Sequence, residues 1–252
     1  MSVHHDLHGL RGQLLIESSA EAVAKRLDDD LVRTLRQRIC EVGTVHLALS
    51  GGASPQRLYQ LLATDVHYTP SDWAHTHLWL VDERCVPDDD PRLNFAMIRS
   101  ALVDKVAIPP AQVHPMPVGL PDGDRRYEAD LRQTLAGGRL DAAVLGMGPD
   151  GHTASLFPHS PALDERETWV RFNDGEHVLT PRPRMTLTYP VLCATRFLAV
   201  LVTGASKHAA LLAAARAPDD VHGYPIVGIR PAEGSELVWY VDRAAAGGWD
   251  GF

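Results

Sequence analysis

Long apolar runs, cysteine, aromatic residues and an excess of positive charge are all scarce in this chain. No stretch approaches the roughly 18 consecutive apolar residues of a membrane span, and residues 1–12 have no apolar signal-peptide core. No membrane partner is expected. The three cysteines, Cys40, Cys85 and Cys193, are far apart and odd in number. They read as reduced thiols of a cytoplasmic protein, not as a disulfide or zinc framework. A net charge of −8 argues against nucleic-acid binding, which needs a basic face. The 13 histidines show no HExxH or similarly tight ligand spacing, so no metal is expected. His75 and His77 alternate within one strand-like run, but two ligands do not make a site. No GxSxG elbow is present, which argues against a serine-esterase mechanism.

What is there is a regular alternation of two periodicities. Residues 20–41 carry Val23, Leu27, Leu31, Leu35 and Ile39 at helical spacing. Short apolar runs at 44–49 (TVHLAL), 75–81 (HTHLWLV), 140–145, 197–203 (FLAVLVT) and 237–241 read as strands, with shorter ones at 112–116 and 184–187. Helical patterns fill 55–63, 93–106, 125–135 (closed by Gly137-Gly138) and 205–216. Such alternation predicts an α/β fold, three layers deep, with a mostly parallel sheet flanked by helices. Residues 1–12, with His4, His5 and His8, read as a loose arm, and 13–252 as a single domain. Prolines cluster from 158 to 190 and predict a less regular excursion, a lid or small subdomain.

Ligands of such sheets bind beyond the carboxyl ends of the strands. Four suggestive loops lie at those ends. Ser50-Gly51-Gly52-Ala53-Ser54-Pro55 follows the first long strand. Pro55 suits the first helical position and Ser54 the N-cap, so the glycines and the helix start form a cradle for one phosphate. It lacks the Gly-Lys-Ser/Thr ending of a nucleotide loop, so ATP and Mg²⁺ are not implied. Asp82-Glu83-Arg84 ends the next strand, and Arg84 has a planar fork suited to phosphate or carboxylate. The run 146–158, GMGPDGHTASLFP, puts Asp150 and His152 two positions apart after a glycine turn, a place for acid–base chemistry. Lys207, in the first turn of a helix, is poorly placed for the helix dipole unless an anion lies beside it. Gly146-x-Gly148-x-x-Gly151 also matches the dinucleotide fingerprint formally. Pro158 and Pro161 leave no long helix behind it, Pro149 removes an amide, and Glu167 and Asp174 leave the acidic criterion undecided.

Together these loops resemble the 6-phosphogluconolactonase family, within the fold shared by glucosamine-6-phosphate deaminases and ribose-5-phosphate isomerases. The resemblance runs from about residue 14 to 246. It is carried by SGGASP at 50–55, VDER at 81–84, Asn94-Phe95, GMGPDGHTASLFP at 146–158, RMTLTYP at 184–190 and TGASK at 203–207. It implies a NagB/RpiA-like sheet and hydrolysis of 6-phospho-D-glucono-1,5-lactone, a phosphorylated sugar lactone, without a cofactor. It casts His152 as the catalytic histidine, Asp150 as its supporting acid, and Arg84 with Asn94 as pocket residues near the lactone or its hydroxyls. Ser50, Gly51, Gly52 and Ser54, with Arg184 and Lys207, become the phosphate cradle, and Asp82 a further substrate contact. The oxyanion donor is either Arg84 or the amides of the 151–153 turn. His152 is expected at the start of a short helical turn, whose dipole and Asp150 would pull its protonation in opposite directions. Two departures stand out: Leu93 where the family usually has Ser, and Ala53-Ser54 where Ser-Thr is common. The alternatives are an amino-sugar-phosphate deaminase with Asp82 as base, a non-catalytic sugar-phosphate sensor, and a dinucleotide-dependent oxidoreductase. A monomer or weak dimer is expected.

Overall fold

The computed structural model describes residues 7–135, 138–173 and 183–247. Strands β1 (Gln13–Glu17), β2 (Val45–Leu49), β3 (Thr76–Leu80), β4 (Asp82–Arg84), β5 (Val113–His114), β6 (Ala142–Gly146), β7 (Val170–Asn173), β8 (Arg184–Leu187), β9 (Phe197–Val202) and β10 (Glu236–Asp242) alternate with helices. The helices are α1 (Ala20–Val42), α2 (Ala53–Leu62), α3 (Pro70–Trp73), α4 (Asn94–Ala101), α5 (Gly123–Thr134), α6 (Tyr189–Ala194) and α7 (His208–Arg216).

Seven strands form one sheet in the order β1-β10-β9-β6-β2-β3-β5, and every pair in it is parallel. Its central strands are buried on both faces, which is why β2 and β9 read as continuous apolar runs rather than alternating ones. Helix α1 shows the matching helical logic. Ser19 accepts the N–H of Ala22 at its start, Gly43 at φ 84° ends it, and Val23, Leu27, Leu31 and Leu35 are buried against the sheet. Beyond β2 the chain moves to β3 on one side, whereas β6 lies on the other. The loops after β2 and β6 therefore diverge, and a crevice opens between them at the strands' carboxyl ends.

A second, antiparallel sheet of order β4-β8-β7 stands beside this crevice, with Arg84 opposite Arg184. It occupies part of the region expected to be irregular. Residues 174–182 of that region, including Asp174, lie outside the described residues, as does Gly137. No described helix is long and apolar enough to cross a membrane.

The structure corrects several expectations. Part of the supposed loose arm is tied down: Leu7 is buried, and the Arg11 carbonyl accepts the Trp239 indole N–H at 2.8 Å. His4 and His5 lie outside the described residues. The helix expected over 93–106 ends at Ala101, because Leu102 leaves helical geometry (φ −132°, ψ −67°) before a short 3-10 turn. The one expected over 205–216 begins as a 3-10 turn and becomes α-helical at His208. Strands β1, β4 and β7 had no counterpart in the sequence reading.

Candidate active site

The carboxyl ends of β2, β3 and β6, with Lys207 after β9, enclose a cavity of about 220 Å³. Its wall includes Ser50, Gly51, Gly52 and Ser54 of the first loop, Asp82, Arg84, Asn94, His152 and Lys207. Two residues named from the sequence stand off that wall. Asp150 lies behind His152, and Arg184 lies beside Arg84 on the small sheet. Arg184 is 9 % exposed, and burial, then the Arg84 charge, push its guanidinium down while Asp82 acts the other way.

The phosphate-type loop differs in one detail from the expected cap. Helix α2 starts at Ala53, so Gly52, at φ 97°, is its N-cap, and Ser54 and Pro55 sit inside the first turn. Only glycine enters that backbone region without strain. The shift leaves the first-turn amides of Ala53 and Ser54 without partners inside the helix, at the positive end of its dipole. The Ser54 hydroxyl accepts from Thr203 at 3.3 Å. Ser50 is anchored through its backbone: its N–H donates to Val144, and its carbonyl accepts the Tyr59 hydroxyl at 2.6 Å. On the same cavity wall, burial pushes the Lys207 ammonium down and the Asp150 charge opposes it. A desolvated cation beside exposed helix-start amides suits a bound anion.

The loop after β6 builds a histidine–carboxylate pair. The Gly148 N–H donates to the His152 carbonyl at 2.8 Å, and Gly151, at φ 80°, donates to the Gly148 carbonyl at 3.1 Å. This tight turn brings Asp150 Oδ1 to 2.5 Å from His152 Nδ1. Burial raises the Asp150 carboxyl, but its bonds to His152 outweigh this and hold it below the usual carboxylate range. An ionised carboxylate only accepts, so the proton of the neutral imidazole sits on Nδ1 and the lone pair on Nε2. The helical turn expected after His152 does not form. Thr153 and Leu156 bridge instead. Two of the turn amides are engaged within it: Gly151 donates to Gly148 and His152 to Asp150 Oδ1 at 3.2 Å. Arg84, the other expected oxyanion donor, has its guanidinium steadied by the Arg92 carbonyl at 2.5 Å.

Asp82 is held rather than free. Its Oδ2 accepts from the Ser155 hydroxyl at 2.6 Å and its Oδ1 from Asn94 Nδ2 at 3.3 Å.

A sequence profile described as glucosamine-6-phosphate isomerases/6-phosphogluconolactonase matches residues 18–239. The chain belongs to this family.

Among its relatives, the GDH/6PGL endoplasmic bifunctional protein of Oryctolagus cuniculus is 39 % identical over 92 % of the chain. The chain spans only 29 % of that longer protein. The 6-phosphogluconolactonase of Synechocystis is 38 % identical, with 92 % of this chain and 93 % of that one covered. The crystal structure of a 6-phosphogluconolactonase from Thermotoga maritima superposes with a TM-score of 0.78 at 26 % identity, covering 91 % of this chain and 99 % of that one.

Sequence reasoning missed several parts of this cavity. Met147, Gly148, Pro149 and Ala154 line the cavity, and Ser155 holds Asp82. All five lie in the 146–158 run, so their position was legible even though their tasks were not. Glu83 was noticed as a charge and given no task.

Proposed function

We propose that the protein hydrolyses 6-phospho-D-glucono-1,5-lactone to 6-phospho-D-gluconate, the second step of the oxidative pentose phosphate pathway, with His152 as general base. One observation carries the reading: an imidazole with Nδ1 bound to Asp150 shares a single cavity with an anion cradle and with Arg84. The cavity's 220 Å³ suits a small sugar phosphate and is cramped for a dinucleotide.

The phosphate lies between the 52–54 turn and Lys207, with Arg184, opposite Arg84 on the small sheet, adding positive potential. Nε2 of His152 takes a proton as water attacks the lactone carbonyl carbon. The carbonyl oxygen becomes an oxyanion, and the Arg84 guanidinium stabilises it. When the tetrahedral intermediate collapses, the bond from carbon to ring oxygen breaks. The imidazolium returns its proton to that oxygen, which becomes a hydroxyl. The new carboxylic acid then ionises to solvent. Asp150 keeps the imidazole in the productive tautomer and offsets its transient charge. Binding energy from the remote phosphate orients the ring for attack. The enzyme acts without a cofactor, in the cytoplasm, as a monomer or weak dimer.

The test is loss of freshly generated lactone with and without protein, after subtraction of spontaneous opening. Wild-type protein that adds nothing to the spontaneous rate refutes the proposal. Turnover of glucosamine 6-phosphate instead supports the deaminase reading. That reading requires Asp82 as base, and its bonds to Ser155 and Asn94 oppose such a role. Binding of a lactone analogue without turnover supports a sensor, and saturable NADP⁺ binding an oxidoreductase.

A further inference from the structure

Glu83 lies between two residues of the cavity wall, Asp82 and Arg84, yet it is 1 % exposed and absent from that wall. Strand alternation explains this: Asp82 and Arg84 project to one face of β4 and Glu83 to the other. There its carboxylate meets three backbone donors. Oε1 accepts the N–H of Arg84 at 2.7 Å and of Asn94 at 2.7 Å, and Oε2 accepts that of Phe95 at 2.8 Å. Burial pushes the carboxyl up, and these three bonds work against that rise.

Two of those amides open helix α4, whose N-cap, Leu93, makes no side-chain capping bond. Glu83 supplies the missing cap from a different element and sets a negative charge at the positive end of the helix dipole. Once its backbone is held, Asn94 extends the tie. Its Nδ2 donates to the Asp82 carbonyl at 2.8 Å. Its Oδ1 lies so near Gly51 that a Cβ on that glycine would be 1.8 Å from it. A chain of contacts therefore runs from Glu83 through Asn94 to the first glycine of the cradle, and from the same carboxylate to the backbone of Arg84.

We propose that Glu83 is a positioning residue: its buried carboxylate holds Arg84 and Asn94 in register with the 50–54 turn across the cavity, without touching the ligand. The inference deepens the lactonase reading and rests on it. It also explains why a departure at Leu93 is tolerated, since the helix start does not depend on a local cap.

The experiment is a double-mutant cycle of Glu83→Gln and Asn94→Ala, read as steady-state lactone hydrolysis. The Gln side chain keeps the size but points an NH₂ at one of the three N–H donors. Glu83→Gln should lower kcat about 10- to 100-fold, the scale of ångström-level misplacement. If Glu83 acts through Asn94, the double variant should lose no more than about threefold beyond Asn94→Ala alone. A Glu83→Gln enzyme with kcat within about threefold of wild type overturns the proposal, whatever the change in stability, and an additive cycle overturns the route through Asn94.

Should Glu83→Gln fail to fold, hydrogen exchange in the wild-type protein decides. First-turn amides normally lack intrahelical partners, so Asn94 and Phe95 must be protected, and fast exchange at both overturns the proposal. Exchange does not depend on turnover. An inactive wild-type protein with protected amides therefore counts against the lactonase reading and not against the brace.

Discussion

Gly148→Ala is a small change whose effect should be confined to the histidine–carboxylate pair. A Cβ at Gly148 would lie 2.0 Å from His152 Nδ1, 2.2 Å from Cε1 and 2.5 Å from Asp150 Oδ1, where ordinary contact begins at 3.4 Å. Something must retreat by more than an ångström. The backbone is not the obstacle, because Gly148 is not among the positive-φ glycines. The imidazole has room to turn toward the cavity it lines, so the ring moves and the fold survives. Displacement on that scale costs about 10²-fold in rate. Stability should change little, because Gly→Ala at an allowed backbone conformation also restricts the unfolded chain, worth about 0.4–1 kcal/mol in favour of folding. The assay is lactone hydrolysis corrected for spontaneous opening, run beside a thermal melt. Gly119→Ala is the control: a Cβ there meets nothing within 4 Å, and activity should be unchanged. Near-normal kcat in Gly148→Ala would refute the claim that this geometry governs turnover. Equal losses of kcat in both variants would refute it too.

Further outcomes are expected. His152→Ala should lower kcat about 10²- to 10⁴-fold, the range for removing a general base; near-normal turnover would end that assignment. Lys207→Ala and Arg184→Ala should mainly raise KM, and Lys207→Ala should weaken competitive inhibition by inorganic phosphate. If phosphate does not compete with substrate in the wild-type enzyme, the cradle is misplaced. Burial, then the neighbouring Asp65 carboxyl, push Asp28 up to about 7. A folded-state value above the unfolded one, about 3.9, means the fold favours the protonated carboxyl. The associated stability is complete below about pH 4 and is lost as pH rises toward 7. Asp28→Asn should therefore melt higher than wild type at pH 8, with the gap closing toward pH 4. A variant less stable than wild type at pH 8 would contradict this.

The parts of the site that were legible in sequence are those made by contiguous residues. SGGASP announced a turn and a helix start, and the 146–158 run put Asp150 and His152 together just after a glycine turn. Even there the cap slid from Ser54 to Gly52, because a glycine at φ 97° starts the helix two residues earlier than a serine would. What stayed hidden depends on partners far along the chain. Three charged residues at 82–84 look like a solvated strand end until β8, a hundred residues later, pairs with them. Ser155 looks like one residue of a motif until its hydroxyl meets Asp82. Arg184 was expected in the cradle; it is not among the residues of the cavity wall, and its strand, antiparallel to β4, sets it opposite Arg84.

By itself the sequence determined the parallel core, since short apolar runs such as VHLAL and FLAVLV alternate with helical patterns, and it marked the strand-end loops that line the cavity. Tertiary structure decided which of those loops meet, because a crevice exists only where strand order reverses. It also decided what each polar group does. Whether a carboxylate braces a helix, as Glu83 does, or steers a histidine, as Asp150 does, depends on the donors that folding brings within 3 Å of it, and residue spacing along the chain does not encode them.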